Sequence, residues 1–250
     1  MERDEYIKIE EVGEKMWWFR ALHCNMLNAL KHYIPDQKGN LLDDGCGAGG
    51  FLKRFQASFA SMSAFGIDKE FNIAKIARRR SGAEVVVGTA NILPFSDNVF
   101  SACVSANVMC HKGADPREYA SEAFRCLKPG GILIVNVPAY DWLFSVHDRR
   151  VDDVRRYTRT SLARTLEEVG FQIEYATYWN TFLFALMVLR RKVFTSNDGE
   201  SDLKMMPPLV EAVFNVVMKC ECAILSLGMR KGLVFLPFGG SVLVVVKRPK

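Results

Sequence analysis

The sequence offers little that would cross-link the chain or attach it to a highly charged partner. Its seven cysteines are an odd number with no C-x-x-C pair, so neither a disulfide framework nor a zinc knuckle is predicted. We therefore expect reduced, mostly buried thiols and no metal site. The net charge of +5 comes from 33 basic and 28 acidic residues, an excess too small to favour nucleic acid as a partner.

Long apolar runs and targeting segments are also missing. The strongly apolar run Thr181–Leu189 stops at Arg190, well short of the ~18 to 20 residues that a bilayer span requires, so we expect no membrane span. The N-terminus, Met1–Glu5, is charged and has no apolar run behind it. This predicts neither a signal peptide nor a transit peptide and makes the cytoplasm the expected location.

What the chain does contain is an ordinary globular composition: 250 residues, 49% of them apolar and 24% charged. From about residue 40 onward, short apolar runs alternate with amphipathic stretches, which predicts an α/β fold with a mostly parallel sheet and helices on both faces. We predict seven strands, at residues 40–44, 63–67, 84–87, 100–105, 132–137, 172–178 and 241–246. The helices between them are predicted to begin near Gly49, Glu70, Pro116 and Thr160, and Gly170 should follow the end of the last.

We expect a single domain whose parts differ in character. Residues 1–38 form an N-terminal helical lid, residues 39–180 the core, residues 181–238 a helical insertion, and residues 239–250 the last strand. Apolar residues at helical spacing between Leu209 and Leu227 predict one long amphipathic helix in the insertion, and Ser196–Gly199 is its clearest loop.

The insertion spans 58 residues, far more than a connection between two strands needs. We expect it to cap an apolar acceptor site. A dimer interface or a docking patch for a membrane surface, assisted by Arg190, Arg191 and Lys192, remain alternatives.

A glycine-rich loop follows the first predicted strand. Residues 41–50 run from a buried strand into a helix, and their glycines let the backbone turn sharply and approach a ligand closely. Gly45, Gly47 and Gly50 also fit the pattern G-x-G-x-x-G, which is weak by itself, so a nicotinamide cofactor is an alternative at this point.

Two aspartates bear on the choice of cofactor. Asp43 would repel a pyrophosphate at the adjacent helix N-terminus but would attract an ammonium or sulfonium cation. Asp68 ends the second predicted strand, 25 positions later, where an acidic side chain can accept hydrogen bonds from both ribose hydroxyls. The pattern therefore favours a cationic cofactor that contains a nucleoside.

At these residues the chain resembles the class I S-adenosylmethionine-dependent methyltransferases. The resemblance is carried by Leu-Asp-Asp-Gly-Cys-Gly-Ala-Gly at 42–49, Gly-Ile-Asp at 66–68, Ala-Asn-Ile-Leu-Pro-Phe at 90–95 and Arg-Cys-Leu-Lys-Pro-Gly-Gly at 125–131. One subgroup also shares Trp-Trp-Phe-Arg at 17–20, Pro-Ala-Tyr at 138–140 and Arg-Arg-Tyr-Thr at 155–158. The family implies a Rossmann-like fold, S-adenosyl-L-methionine as cofactor and S-adenosyl-L-homocysteine as its product.

The resemblance also implies roles for individual residues. Asp43, Gly45 and Gly47 should lie along the methionine moiety, Asp68 should hold the ribose, and Leu93 should pack near adenine. Residues 17–19 are expected to form a lid over the cofactor, with an aromatic anchor for the first helix as the alternative. The full expected set of cofactor-binding residues is Trp17, Arg20, Asp43, Gly45, Cys46, Gly47, Asp68, Lys69, Thr89, Ala90, Asn91, Leu93 and Asn107.

Three positions depart from the family pattern. Thr89 stands where an aspartate usually meets the adenine amino group, so the contact would not be charge-assisted. Asp44 stands where the family usually has an aliphatic residue. Asn107–His111 replaces the commoner Asp-x-Leu-Glu-His.

Methyl transfer is an in-line displacement, so alignment in a dry pocket can supply most of the catalysis. A hydroxyl acceptor would benefit from a general base, and histidine suits that role. His147, just beyond the fifth strand, is the first candidate and His111 the second, while a structural role in fixing a loop is the alternative for each. Tyr140, Arg156 and Tyr157 are expected to contact the substrate.

We therefore expect a methyltransferase that acts on a small-molecule or lipid- or sugar-linked acceptor, with O-methylation first and N- or C-methylation as alternatives. Base methylation of nucleic acid is disfavoured, because no Pro-Pro-aromatic motif follows the fourth strand and no Pro-Cys dipeptide exists. A nicotinamide-dependent oxidoreductase and a non-catalytic cofactor-binding protein are the remaining alternatives. The chain is expected to be a monomer or a homodimer.

Overall fold

A computed structural model describes residue 13 and residues 15–192, 205–232 and 236–250. Its seven strands form one sheet in the order β3-β2-β1-β4-β5-β7-β6. The strands β1 to β5 are parallel, and β7 is antiparallel to both of its neighbours. The bounds are β1 Gly39–Asp44, β2 Met62–Asp68, β3 Glu84–Val87, β4 Phe100–Ala106, β5 Leu127–Pro138, β6 Gln172–Trp179 and β7 Ser241–Lys247. The predicted α/β, Rossmann-like fold is confirmed.

Helices cover both faces of the sheet. The α-helices in the described part of the chain are α1 Trp17–Tyr33, α2 Gly50–Ser58, α3 Phe71–Ser81, α4 Pro116–Cys126, α5 Val146–Arg150, α6 Arg159–Glu167, α7 Phe184–Lys192 and α8 Pro208–Lys231. Helices α1, α2, α3 and α8 contribute buried side chains to one hydrophobic core, and α4 and α6 contribute to the other. Each of the seven cysteines is free and five are buried, as expected.

Two predicted boundaries differ from the structure for local reasons. Strand β5 begins at Leu127 rather than Ile132, because Leu127 pairs with Phe100 ahead of an irregularity in the register. Helix α6 begins one residue earlier than expected, since Thr158 and Ser161 form a reciprocal capping box. Gly170, which was expected at the C′ position of this helix, has φ +109° and lies one residue beyond C′.

Two carboxylates of α8 bind the backbone at the start of the N-terminal lid and at the start of the insertion. Glu211 accepts hydrogen bonds from the backbone N–H groups of Trp17 (3.1 Å) and Met206 (3.2 Å). Glu221, fully buried, accepts from the backbone N–H groups of residues 180–182, just before α7. Two buried carboxylates of one helix thus hold the start of α1 and the start of α7. Ser196–Gly199, the loop expected in the insertion, lies outside the described residues.

Helix α8 is long and apolar enough to cross a bilayer, judged by length and composition alone. The sequence analysis considered only the run Thr181–Leu189 and did not identify Pro208–Lys231 as a segment with these properties. Its expectation that no segment spans a membrane stays a prediction. In this fold, α8 uses one face to pack against α1 and the sheet.

Candidate active site

A cavity of about 610 Å³ opens at the carboxyl ends of the central strands. Strand β1 lies between β2 and β4, so the crossovers leave it in opposite directions and the sheet has its topological switch point here. The glycine loop forms one part of the lining, and another part is apolar: Leu183, Leu186, Met187, Met206 and Phe214. The cavity therefore joins a polar, backbone-lined side to an apolar side contributed by the insertion.

The glycine loop needs glycine for two different reasons. Gly47 has φ +49° and open space where a Cβ would stand, so its backbone conformation is the constraint. Gly45 also has a positive φ, +79°, and a Cβ there would lie 2.2 Å from Cγ2 of Val108, so close packing is an additional constraint. The N–H groups of Gly45 and Cys46 both donate to the carbonyl of Ile67 at 2.9 Å. The loop is thereby fixed to the end of β2.

Asp68 lies at that same strand end and faces the cavity. Its Oδ2 accepts from the N–H of Gly47 and its Oδ1 from the N–H of Glu70, both at 3.0 Å. Burial raises the pKa of this carboxyl, while these two N–H groups act in the opposite direction. Each oxygen keeps acceptor capacity for a second donor, which is what a ribose hydroxyl would need.

Asp43 and Asp44 are buried side by side at the end of β1. Burial raises the pKa of Asp43 well above its usual range, and the charges of Asp44 and Asp68 raise it further. Burial, with a contribution from Asp68, raises the pKa of Asp44 to about 7. One oxygen of Asp43 has no protein hydrogen-bond partner although it lies against the cavity. This unpaired acceptor fits a cofactor that carries an ammonium or sulfonium group.

The residues after β3 form the side of the cavity expected to hold adenine. Thr89, Ala90 and Asn91 lie on the wall, and the Asn91 side chain bonds both the carbonyl of Gly113 and the N–H of Asp115. Leu93, in contrast, lies behind the wall. Its N–H donates to Glu122, and its carbonyl accepts from Arg125 of the motif at 125–131. That motif thus positions the adenine-side segment.

A relay of side-chain contacts leads from the lid to Asn107. Asn107 directly follows β4 and has φ +58°, and its Oδ1 accepts from Nδ2 of Asn136 at 3.0 Å. The Oδ1 of Asn136 accepts from Nε1 of Trp179 at 2.6 Å, and Trp18 of the lid stacks on Trp179 with 5.7 Å between ring centroids. Sequence analysis did not identify Asn136, although an amide inside the apolar run 132–137 was the available signal.

Both candidate histidines lie on the cavity wall. Nδ1 of His111 lies 2.8 Å from Oδ1 of Asp153, a buried carboxylate that the sequence analysis did not identify. His147 lies on α5 beside Asp148, whose two oxygens bind Arg156 at 2.6 Å and the Ser145 N–H at 2.7 Å. The structure therefore gives His111 an identified carboxylate partner.

Three residues near β4 have the chemistry of metal ligands. Among the residues that the structure describes, Cys110, His111 and Asp153 form one group whose potential ligand atoms all lie within 4.8 Å of one another. The Cys110 thiol donates to the carbonyl of Asn107 at 3.1 Å, and burial raises its pKa well above its usual range. These residues could hold a cation only if the thiol lost its proton.

The remaining expected site residues fall into two groups. Trp17 and Lys69 lie on the cavity wall, as does Arg156, although Arg156 already binds Asp148 and the carbonyl of Ala139. The other three are not on the wall. Tyr157 donates its hydroxyl to the carbonyl of Met109, Tyr140 stacks between Trp142 and Tyr178, and Arg20 is exposed on α1.

Comparison with known proteins agrees with this geometry. Residues 42–135 match the family model described as a methyltransferase domain. Over 61% of its length, the chain is 30% identical to 24-methylenesterol C-methyltransferase 2 of Arabidopsis thaliana, and it spans 46% of that relative. Several other curated relatives are also covered over less than half of their length.

Solved structures share the fold over most of the chain. Phosphoethanolamine N-methyltransferase 2 of Haemonchus contortus, in complex with S-adenosyl-L-methionine, has a TM-score of 0.59 at 18% identity, covering 90% of this chain and 52% of that one. A possible histamine N-methyltransferase of Thermotoga maritima has a TM-score of 0.59 at 20% identity, with 99% and 95% covered. Residues 42–135 are therefore similar to a methyltransferase domain, and the fold of the chain is shared with these solved methyltransferase structures.

Proposed function

We propose that the protein transfers a methyl group to a hydroxyl oxygen of a small apolar or lipid-linked acceptor. S-adenosylmethionine supplies an electrophilic methyl group when bound. The observation that carries the proposal is His111 beside Asp153 on the wall of the cavity that also contains the glycine loop. An amine that reaches the site unprotonated attacks through its free lone pair and needs no such base, whereas a hydroxyl gains nucleophilicity by losing its proton.

His111 and Asp153 suit proton removal from a hydroxyl. A positioned imidazole accepts the proton as the new oxygen–carbon bond forms, and a neighbouring carboxylate holds the ring and stabilises its developing positive charge. Nδ1 of His111 lies 2.8 Å from Oδ1 of Asp153, close enough for the carboxylate to stabilise a charged imidazole. Proton removal through Nε2 belongs to the proposal. His147 lies on the same wall and is the alternative base.

The apolar wall supports an acceptor with hydrocarbon character. Leu183, Leu186, Met187, Met206 and Phe214 offer no donors or acceptors in their side chains to orient a sugar or a phosphate. Their surfaces would exclude water from the reacting groups, which strengthens the electrostatic effects there. The similarity to a sterol C-methyltransferase supports an apolar acceptor but not the atom that is methylated.

A matched pair of histidine variants tests this proposal. His111→Asn removes the base on the cavity wall, whereas His32→Asn removes an imidazole that lies on α1 away from the cavity. With an isoprenoid alcohol or a phenol as acceptor, we expect His111→Asn to lower kcat by about 10² to 10⁴-fold at unchanged cofactor affinity. Unchanged turnover in His111→Asn, or turnover with amines alone, would overturn the proposal.

A metal-assisted reaction is a second candidate, because Cys110, His111 and Asp153 are close enough to share a cation. A bound cation would lower the pKa of an acceptor hydroxyl by coordination instead of by proton acceptance. Dialysis against a chelator, followed by addition of zinc or magnesium, separates the two mechanisms. Loss and recovery of activity, together with loss in Cys110→Ala, would favour the metal, and insensitivity to the chelator would favour the base.

A further inference from the structure

A cluster of aromatic rings that reaches the surface lies next to α7, and we call it the aromatic patch: Tyr140, Trp142, Tyr178, Phe184 and Phe238. The rings contact one another in sequence, with centroids 5.1 Å apart for Tyr140–Tyr178, 5.8 Å for Tyr140–Trp142 and 5.6 Å for Phe184–Phe238. Trp142 is 50% exposed and Phe238 is 46% exposed. Tyr178 is buried, and Tyr140 and Phe184 are half-buried, so the inner rings support the two exposed ones. Exposed rings held in one cluster differ from apolar residues that are exposed singly.

Helix α7 separates this patch from the cavity. None of its nine residues is buried, although six are apolar. Leu186, Met187 and Arg190 lie on the cavity side, whereas Ala185, Val188, Leu189 and Lys192 form a shallow outer groove together with Trp142 and Phe184. Helix α7 is therefore the single layer of structure between the apolar part of the cavity and the outer groove.

Basic residues border the patch. The last turn of α7 contains Arg190 and Arg191, which also line the cavity, and Lys192, which lies in the outer groove. Nζ of Lys192 lies 5.9 Å from the ring centroid of Trp142. The neighbouring α5 adds Arg149 and Arg150. Asp141 accepts from the N–H of Arg156, and buried Asp148 pairs with the guanidinium of Arg156 and lies 3.8 Å from that of Arg191. The basic side chains of α5 and α7 outnumber these two carboxylates, so the border of the patch is net positive.

We propose that the aromatic patch and the last turn of α7 dock on the surface of an anionic lipid bilayer. Aromatic rings beside cationic side chains match the boundary between headgroups and acyl chains, and each basic residue is attracted to anionic lipids. A second copy of the chain fits less well, because a two-fold interface would bring two sets of these cations together. Docking would let an apolar acceptor reach the cavity past α7, a consequence that rests on the proposed function.

Vesicle flotation tests the docking without cofactor or acceptor. We expect the protein to float with vesicles of phosphatidylcholine containing about 30% phosphatidylglycerol, to float less with phosphatidylcholine alone, and to be released by salt. The double variant Trp142→Ser/Leu189→Ser and the single variant Lys192→Glu should each reduce the partition coefficient tenfold or more. Phe71→Ser is the matched control, because Phe71 is 66% exposed on α3 and lies outside the patch.

Thermal unfolding of each variant verifies that it remains folded. A wild-type protein that stays in solution with both kinds of vesicle would overturn the proposal. So would sedimentation showing a dimer that the patch substitutions dissociate. The proposed function fails separately, since methylation of a detergent-solubilised acceptor should persist in Trp142→Ser/Leu189→Ser whether or not the protein binds vesicles.

Discussion

The charge state of Asp44 gives a quantitative prediction about stability. Asp44 is 1% exposed, and burial raises its pKa from 3.8 to about 7. Because the pKa in the folded state lies above the pKa in the unfolded state, the folded chain binds the extra proton between these values, and stability falls as the pH rises through that window. At about 1.36 kcal/mol per pH unit, the ionised group costs the folded state about 4 kcal/mol, of which about 2 kcal/mol develops between about pH 5.5 and pH 8.

The substitution Asp44→Asn removes this titration and keeps the size of the side chain. We expect the variant to gain free energy of unfolding relative to wild type, with the gain about 2 kcal/mol larger at about pH 8 than at about pH 5.5. Urea unfolding of the protein without cofactor at both pH values measures the difference, and exposed Asp36→Asn serves as the control. A gain that is the same at both pH values would refute the reasoning.

Three further predictions concern binding and stability. Asp68→Ala should weaken S-adenosylmethionine binding about tenfold or more in isothermal titration, because charge-assisted hydrogen bonds contribute roughly 1.5 to 3 kcal/mol; unchanged affinity would contradict the ribose assignment. Glu221→Gln should lower the midpoint of thermal unfolding well below that of the exposed control Glu174→Gln, since Glu221 accepts three backbone N–H groups. Trp179→Phe removes the donor to Asn136 and should cost about 1 to 3 kcal/mol of unfolding free energy in urea, and a smaller loss would show that the relay contributes little.

Local sequence patterns were sufficient to predict the sheet and the loop. The strands β4, β5 and β7 contain apolar runs that the sheet buries on both faces, and Gly45 and Gly47 mark a turn that few other residues could form. Contacts between distant residues have no such local signal. His111 and Asp153 stand 42 positions apart, and their proximity depends on how the segment after β5 folds back against β4.

The side-chain directions behind the substrate expectations were equally beyond the sequence. The motif at 155–158 suggested that Tyr157 contacts the substrate, but its hydroxyl binds the carbonyl of Met109 instead. Its direction depends on the packing of the β5–α6 segment, which no spacing of residues reveals. Likewise, the apolar pattern from Leu209 to Leu227 predicted α8, yet it did not show that Glu211 and Glu221 would anchor two other segments.

The atom that receives the methyl group is the most direct test of the account. The protein would be incubated with an isotope-labelled methyl donor and an isoprenoid alcohol or phenol, and NMR of the purified product would identify the atom bonded to the labelled methyl. We expect a methyl ether whose formation requires His111 and does not require His32. A product methylated on nitrogen or carbon would contradict the assignment of His111 as the base that removes the proton with the support of Asp153. An ether formed equally well by His111→Asn would also contradict it.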